Sequence, residues 1–177
     1  MNYKELKITT LEIAGLKPSL KAMRLPKKNS ISDSYNCGGN FVFGDKDKHL
    51  ANNLISIGTE HCKFSRGIDV WVQIEMQIGF MIEFVTYRIG IDDLSTSSSM
   101  HNELKKLKGI ELAEQKQVDL PNKVYTRIFK VSYQCLKNMY SQRRNHRHPD
   151  WQIFCDWIEK LPNFDILIKN KIKEINK

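Results

Sequence analysis

A run of five hydroxyl residues is the first feature of the sequence that could do chemistry. Residues 95–99 read Ser-Thr-Ser-Ser-Ser, and Met100-His101 follow them. An apolar, helix-like segment precedes the run and a charged helix is predicted near 101–108. The run is therefore predicted to lie between two helices, where hydroxyls and helix N-terminal N–H groups can hold a phosphate. A solvated loop and a plain helix cap at Ser99 are the alternatives. The stretch has no Gly-Lys pair and is not a P-loop or a Rossmann turn.

A basic turn is the second candidate. Residues 143–148 read RRNHRH. A guanidinium grips a carboxylate, a phosphate or the edge of a uracil in two places, and three close arginines repel one another unless an anion lies among them. A solvated basic turn is the alternative. No metal site is predicted, because His146 and His148 are two residues apart and no motif supplies further ligands.

The third candidate is His61, in the segment GTEHCKF that precedes the clearest strand. It is a candidate base or ligand, and an imidazole held by a neighbour such as Glu60 is the alternative. The four cysteines lie far apart without a C-x-x-C pair, which predicts neither a zinc finger nor a disulfide framework.

The composition is typical of a soluble globular protein, with 41% apolar and 27% charged residues in 177. We predict one domain over residues 1–177, with a surface excursion at 26–47 and a basic C-terminal tail at 169–177. No apolar run is long enough to span a membrane and no signal peptide is recognisable, so a cytoplasmic protein is predicted.

The net charge of +8 favours an anionic partner, either a phosphorylated small molecule or nucleic acid. No nucleic-acid-binding motif accompanies the charge.

The elements that must position these residues follow from periodicity and from Gly and Pro positions. The clearest is a strand at 68–75, in which apolar and polar residues alternate. Other predicted elements are a strand within 3–13, a short helix between Pro18 and Pro26, and helices over 48–57, 79–89, 124–139 and from Pro149 onward. The predicted class is α+β, with helices outnumbering strands.

The order of these features resembles the flavin-dependent thymidylate synthases, the ThyX family, over roughly residues 17–160. That family has an H-L helix ending in glycine, an E-H segment before a strand, and an apolar helix leading to R-H-R-x-x-S-x-N-E-x-S-x-R-Y. A Y-T-R segment and an R-x-x-x-H-x-x-W turn follow. The matching positions are His49-Leu50, Gly58, Glu60-His61, Phe64, Thr86-Tyr87-Arg88, Leu120-Pro121, Tyr125-Thr126-Arg127, Phe129, Arg144, His148 and Trp151.

The resemblance implies a ThyX-like domain with a small mixed or antiparallel sheet packed against several helices, FAD as cofactor, a dUMP-like nucleotide as substrate, and a homotetramer. It also implies roles for individual residues. Catalysis is predicted for Arg144 and Ser99; contacts to the cofactor for Arg88, Tyr87 and His61; and contacts to the nucleotide for Ser97, Ser98, Ser99, His101, Arg143, Arg144 and His148.

The sequence departs from the family where flavin is bound. The R-H-R motif reads Thr86-Tyr87-Arg88, so two of its three side chains are replaced, which weakens the expectation of FAD. Three functions follow: a divergent ThyX-like enzyme acting on a pyrimidine deoxynucleotide, a non-catalytic nucleotide-binding protein on the same fold, and a basic nucleic-acid-binding protein.

Overall fold

The computed structural model describes residues 3–27, 30–58, 60–97, 104, 106–119 and 123–169. The predicted site residues Ser98, Ser99 and His101, and nearly all of the predicted basic tail, lie outside the described residues.

Four strands form an antiparallel sheet in the order β1-β4-β6-β5, and two short strands, β2 and β3, form a separate hairpin. Their bounds are β1 Lys7–Ala14, β2 Tyr35–Cys37, β3 Asn40–Val42, β4 Asp69–Gln77, β5 Ile91–Thr96 and β6 Val124–Ser132. In the described part of the chain, seven α-helices accompany them: α1 Leu16–Arg24, α2 Asp45–Ile57, α3 Ile78–Phe84, α4 Gly109–Asp119, α5 Tyr133–Arg143, α6 Pro149–Glu159 and α7 Phe164–Leu167. The predicted α+β class is confirmed.

Strand β4 is the centre of the sheet and confirms the strand predicted from alternation. Val70, Val72, Ile74 and Met76 are buried, whereas the residues between them are only partly buried. The strand pairs with β1 on one side and with β6 on the other. The buried face meets an aromatic cluster contributed by α3, β6 and α6. Its rings are Phe80, Phe84, Phe129, Trp151 and Phe154.

The prediction of a continuous helix over 124–139 is wrong. Residues 124–132 form β6, and a helix begins only at Tyr133. The segment VYTRIFKVS is rich in β-branched and aromatic residues, which suit a strand between two neighbours, and its apolar spacing happened to match a helix as well. Ser132 ends the strand and caps the helix, because its hydroxyl accepts a hydrogen bond from the Cys135 amide at 3.3 Å.

The prediction that the whole hydroxyl run lies in a loop between two helices is wrong for its first two residues. Ser95 and Thr96 belong to strand β5, which pairs with Ile128 and Arg127 of β6. Thr and Ser hydroxyls are tolerated on an edge strand, where one face meets water. Helix α3 also ends at Phe84, well short of residue 89, and residues 106–108 are not helical, since α4 begins at Gly109.

The predicted surface excursion at 26–47 contains the β2–β3 hairpin and is held at its base. Asp33 accepts hydrogen bonds from the amides of Lys46 (2.8 Å) and Asp47 (3.2 Å), and so caps α2 from outside the helix. The buried Asp47 carboxylate in turn binds Arg24 and Ser34, with 2.7 Å from Arg24 Nε and 2.6 Å from Ser34 Oγ. In the part of the chain that the structure describes, no helix combines the length and the apolar composition needed to cross a membrane.

Candidate functional site

The end of α3 and the start of the basic turn meet at Arg143. The Arg143 guanidinium lies 4.7 Å from the ring centre of Trp151 and 5.6 Å from that of Tyr87, in cation–π geometry. Its Nε donates a hydrogen bond to the Tyr87 hydroxyl at 2.8 Å, and that hydroxyl donates to Gln142 at 3.0 Å. The side chain is 23% exposed. Arg143 is therefore a cation held in one orientation with part of its surface open.

Glu83 is the carboxylate of this cluster, and sequence reasoning missed it. It accepts a hydrogen bond from Trp151 Nε1 at 2.7 Å, while Arg143 Nη1 is 3.7 Å away, too far for a hydrogen bond. The bond from Trp151 lowers the pKa of Glu83 against the effect of burial, and His146, Arg143 and His148 lower it further. A single acidic residue within the apolar segment GFMIEFV was the available sequence signal.

In each of the two histidines of the turn, the ring atom Nδ1 accepts a hydrogen bond from a backbone amide. His146 Nδ1 accepts from the backbone amide of His148 at 3.2 Å, and His148 Nδ1 accepts from the amide of Asp150 at 3.2 Å, which caps α6. An accepting Nδ1 carries no proton, so each neutral ring carries its proton on Nε2. Both rings are partly exposed, and Nε2–H is the donor that each has left for a ligand.

Arg144 turns away from this cluster and binds α6. Its Nη1 lies 2.8 Å from Asp156 and its Nε 3.0 Å from Glu159, and Gln152 accepts a further hydrogen bond at 3.2 Å. Two carboxylates therefore neutralise the residue to which catalysis was assigned. The structure brings Tyr87, Arg143 and His148 together near Glu83, and it places Arg144 in a separate ion-pair group.

The remaining predicted site residues lie elsewhere. Arg88 is exposed, four residues beyond Phe84, the last residue of α3. Ser97 continues the β5 ladder, since its amide donates to Thr126 O at 2.8 Å and its hydroxyl accepts from the Thr126 amide at 3.1 Å. His61 is exposed and lines a cavity of about 370 Å³ between α1 and α2, whose inner walls include Leu54 and Phe64.

A larger cavity, of about 510 Å³, opens beside the chain turn at Gly90, and sequence reasoning missed it. Its lining residues come from four elements and the turns between them: Arg66, Asp69, Ile89, Gly90, Asp92, Lys130, Ser132, Gln134, Cys135 and Asn138. Helix α5 connects this cavity to the Arg143 cluster. Gln134 and Asn138 line the cavity and Gln142 holds Tyr87, and residues four apart share one helix face. The Q-x-x-x-N-x-x-x-Q spacing was the sequence signal.

The Cys135 thiol that lines this cavity is not a nucleophilic thiolate. Burial raises the pKa of the Cys135 thiol to about 11, so the thiol stays protonated near neutral pH. Among the residues that the structure describes, no group of three or more His, Cys, Asp or Glu side chains could hold a metal ion. The polar side chains that line the cavity offer hydrogen bonds and charge.

A scan against protein-family models finds no match, and a search of curated proteins finds none. Solved structures do match: the flavin-dependent thymidylate synthase ThyX from Helicobacter pylori, complexed with FAD and dUMP, has a TM-score of 0.71 at 16% identity. The match covers 92% of this chain and 98% of that one. A second ThyX structure from that organism with FAD and dUMP has a TM-score of 0.71 at 15% identity, over 93% and 97% of the two chains. The fold expected from the motif order is thus confirmed: the chain has a ThyX-like fold, divergent in sequence.

Proposed function

We propose that this protein binds a pyrimidine deoxynucleotide of the dUMP type, with Arg143 as the cation that meets its anionic group. The observation that carries the proposal is the state of Arg143. Two aromatic rings and one hydroxyl orient the guanidinium, its ion pair with Glu83 is long at 3.7 Å, and the side chain is partly exposed. A pre-organised guanidinium that lacks a bidentate partner suits a phosphate. Proteins with this fold have been solved with dUMP and FAD.

Other polar residues near the ends of α3 and α5 belong to the proposed site. Nδ1 of each turn histidine accepts a backbone hydrogen bond, which leaves Nε2 as the atom that can contact a ligand, and Arg88 is an exposed cation in the loop that follows α3. For Arg144 to act on a ligand it must leave Asp156 and Glu159, which a partner subunit could bring about. A homotetramer with sites between subunits belongs to the proposal on the strength of the resemblance.

The side chains at the R-H-R position do not fit a flavin. Thr86 donates its hydroxyl hydrogen to the Glu83 carbonyl at 2.7 Å, and the Tyr87 hydroxyl is shared between Gln142 and Arg143. Arg88 alone remains as a cation for a pyrophosphate. We therefore propose nucleotide binding without a flavin-dependent step, and flavin-dependent methyl or one-carbon transfer to the base is the alternative.

The test is calorimetric titration of dUMP into the wild-type protein and into two variants. Removing a charge-assisted contact costs about 1.5–3 kcal/mol, so Arg143→Gln should weaken binding roughly ten- to hundredfold. Arg147→Gln is the matched control, because Arg147 is an exposed arginine of the same turn and should leave affinity unchanged. Wild-type protein that binds no pyrimidine nucleotide, or equal losses in both variants, would remove the proposal.

The flavin alternative has its own measurement. Protein purified with flavin absorbs visible light, and an enzyme acting at the base would release the C5 hydrogen of dUMP. Protein that binds dUMP, retains no yellow flavin once unbound FAD has been removed, and releases no C5 hydrogen is a binding protein. Release of that hydrogen would establish an enzyme.

Nucleic-acid binding is the alternative that the net charge of +8 favours. Binding to duplex DNA should then weaken with salt, with a log–log slope of about −0.9 for each phosphate neutralised. Absent or salt-insensitive binding to both DNA and RNA excludes this function.

A further inference from the structure

We propose that the cavity beside Gly90 binds a small zwitterion of the free amino-acid class, whose carboxylate meets Arg66 and whose ammonium group meets Asp69. This ligand is distinct from the nucleotide of the proposed function and occupies a different place. None of the described residues in the sequence-based site assignment lines the cavity. The cavity volume of about 510 Å³ is within the range of about 300–1,000 Å³ that is typical of small-molecule sites.

The strands bring the charged side chains of the cavity to one face of the sheet. Asp92 of β5 lies opposite Lys130 of β6, and Asp69 of β4 lies opposite Ser132. Alternate residues of a strand share a face, so Lys130 and Ser132 place both carboxylates on the same side. The rest of the lining comes from the segment before β4, from the turn at Gly90 and from α5.

One pair of opposite charges in the cavity is satisfied within the protein. Lys130 Nζ lies 2.7 Å from Asp92, so these two charges neutralise each other. The other charged residues of the lining are one cation, Arg66, and one carboxylate, Asp69. A ligand therefore meets one charge of each sign that the protein has not paired.

Arg66 is held in place without being neutralised. Its Nε donates a hydrogen bond to Oε1 of the buried Gln134 at 2.7 Å, which leaves the terminal guanidinium nitrogens as donors. No carboxylate among the described residues forms an ion pair with it, and Glu60, which precedes it in the chain, is bound to Lys63 at 2.9 Å. A guanidinium in this state can bind a carboxylate through two parallel hydrogen bonds.

Asp69 is the partly buried anion of the cavity. Its carboxylate accepts no hydrogen bond and forms no ion pair within the described residues, although Lys130 and Asp92 act on it electrostatically. Arg66 precedes it by only three residues, yet the two do not pair, since Gln134 holds the arginine. An ammonium group has three N–H donors and can supply the hydrogen bonds that this carboxylate lacks.

Ligands that carry a single charge suit this arrangement poorly. An anion attracted to Arg66 would be repelled by Asp69, and a cation attracted to Asp69 would be repelled by Arg66. A molecule with both a carboxylate and an ammonium group satisfies both residues. The amide nitrogen of Gln134 and the exposed amide of Asn138 add neutral hydrogen-bonding groups to the same cavity.

The first test is calorimetric titration of the standard amino acids, β-alanine and γ-aminobutyrate into the wild-type protein. The last two compounds hold the same charges farther apart, which allows for the separation of Arg66 and Asp69. For the compound that binds most tightly, the methyl ester removes the negative charge and the N-acetyl derivative removes the positive charge. Each derivative should bind roughly ten- to hundredfold more weakly than the parent compound, because each loses one charge-assisted contact.

Two variants assign each charge to its partner. Arg66→Gln should weaken binding of the parent compound by a similar factor and leave binding of the methyl ester unchanged, because the ester has already lost that contact. Asp69→Asn should weaken binding of the parent compound and leave binding of the N-acetyl derivative unchanged. Lys63→Gln is the matched control: Lys63 is a cation of the same short helix, Lys63–Gly67, does not line the cavity and should not affect these affinities.

Three outcomes would overturn the proposal: no saturable binding by any of these compounds, derivatives that bind as tightly as the parent compound, and variants that weaken a derivative as much as the parent. The comparison of derivatives uses the wild-type protein alone, so it decides the question even where a variant is unstable. Unchanged melting temperatures of the variants would attribute lost affinity to the lost contact. Nucleotide binding does not enter the test, and its failure would leave the proposed function standing.

Discussion

Individual carboxylates in this protein differ by what surrounds them. Glu83 and Asp47 accept hydrogen bonds, and their pKa values fall below the ordinary ones. Asp69 is partly buried without such bonds, and its pKa rises. The same residue type therefore has a structural role in one place and is available to a ligand in another, and hydrogen-bond partners of this kind cannot be read from sequence.

Asp47 provides a stability prediction at the scale of the residue. It is fully buried and receives hydrogen bonds from Arg24 and Ser34, together with the amide of Ser32 at 3.2 Å. Asp47→Asn leaves the Arg24 charge, 14% exposed, without its partner, and we expect a loss of about 3–5 kcal/mol in the free energy of unfolding at neutral pH. Chemical denaturation measures this loss. Asp45→Asn is the control, since Asp45 is 95% exposed and should change stability little.

The pH dependence of this difference has a definite sign. Burial alone would raise the pKa of Asp47, but the hydrogen bonds from Ser34 and Arg24 outweigh burial and hold it below its ordinary value of 3.8. The stabilisation is therefore present above pH 3.8 and is lost as the pH falls through the lowered pKa. The gap between wild type and Asp47→Asn should narrow in acid. A gap that widens in acid would contradict the assignment.

At the scale of elements, sequence patterns predicted the secondary structure correctly where one face of a strand or helix is buried and the other is exposed to solvent. Strand β4 alternates and α6 begins at a proline, and both were predicted. Strand β6 was missed because it lies between two strands and its apolar spacing also fits a helix. The hydroxyl-rich β5 was missed because strand pairing at a sheet edge is decided by the neighbouring strand and leaves little trace in composition.

Gly90 is the point at which β5 approaches the start of α5. Its φ is +85°, and an added Cβ would come within 2.7 Å of Ser132 Oγ and 3.1 Å of Cys135 Cβ. Gly90→Ala should therefore lower the free energy of unfolding by about 1–3 kcal/mol for the backbone alone, with a further cost for the crowded contacts. Denaturation measures the loss.

Gly79→Ala is the matched control for that variant. Gly79 lies within α3, and nothing stands within 4 Å of a Cβ added there. Alanine in a helix is more stable than glycine by about 0.5–1 kcal/mol, so this variant should be slightly stabilised. Equal effects of the two alanines would show that the turn at Gly90 is not constrained.

At the scale of the whole molecule, the order of motifs along the chain predicted the fold better than any single motif did. His49-Leu50, Tyr125-Thr126-Arg127 and Trp151 are weak signals individually, yet their sequence anticipated a ThyX-like fold found at 16% identity. The side chains that cluster around Arg143 were predicted less completely. Arg143 and Tyr87 are among the residues named from sequence, but the contact of Glu83 with them and the cavity beside Gly90 depend on distant segments, which spacing along one chain does not determine.

Ligand binding should stabilise the whole fold if the proposed function holds. At a dUMP concentration one hundred times its Kd, the stabilisation is about 2.7 kcal/mol. For a chain of this size that corresponds to a rise of about 5–10 °C in melting temperature. Thermal unfolding measures it, with inorganic phosphate at the same concentration as the control. A rise of the same size with phosphate would show anion binding without recognition of the nucleoside.

The stacking of Arg143 on Trp151 gives the protein an optical reporter. The indole is fully buried, donates its N–H to Glu83 and has a cation above its ring, three conditions that together set the energy and lifetime of its excited state. A phosphate that draws the guanidinium away would change the emission of this one fluorophore. Trp71 and Trp157 lie in other surroundings, and replacing Trp151 with phenylalanine would identify the part of the emission that follows occupancy. The contact with Trp151 that orients the Arg143 guanidinium would therefore also report its displacement as a change in Trp151 emission.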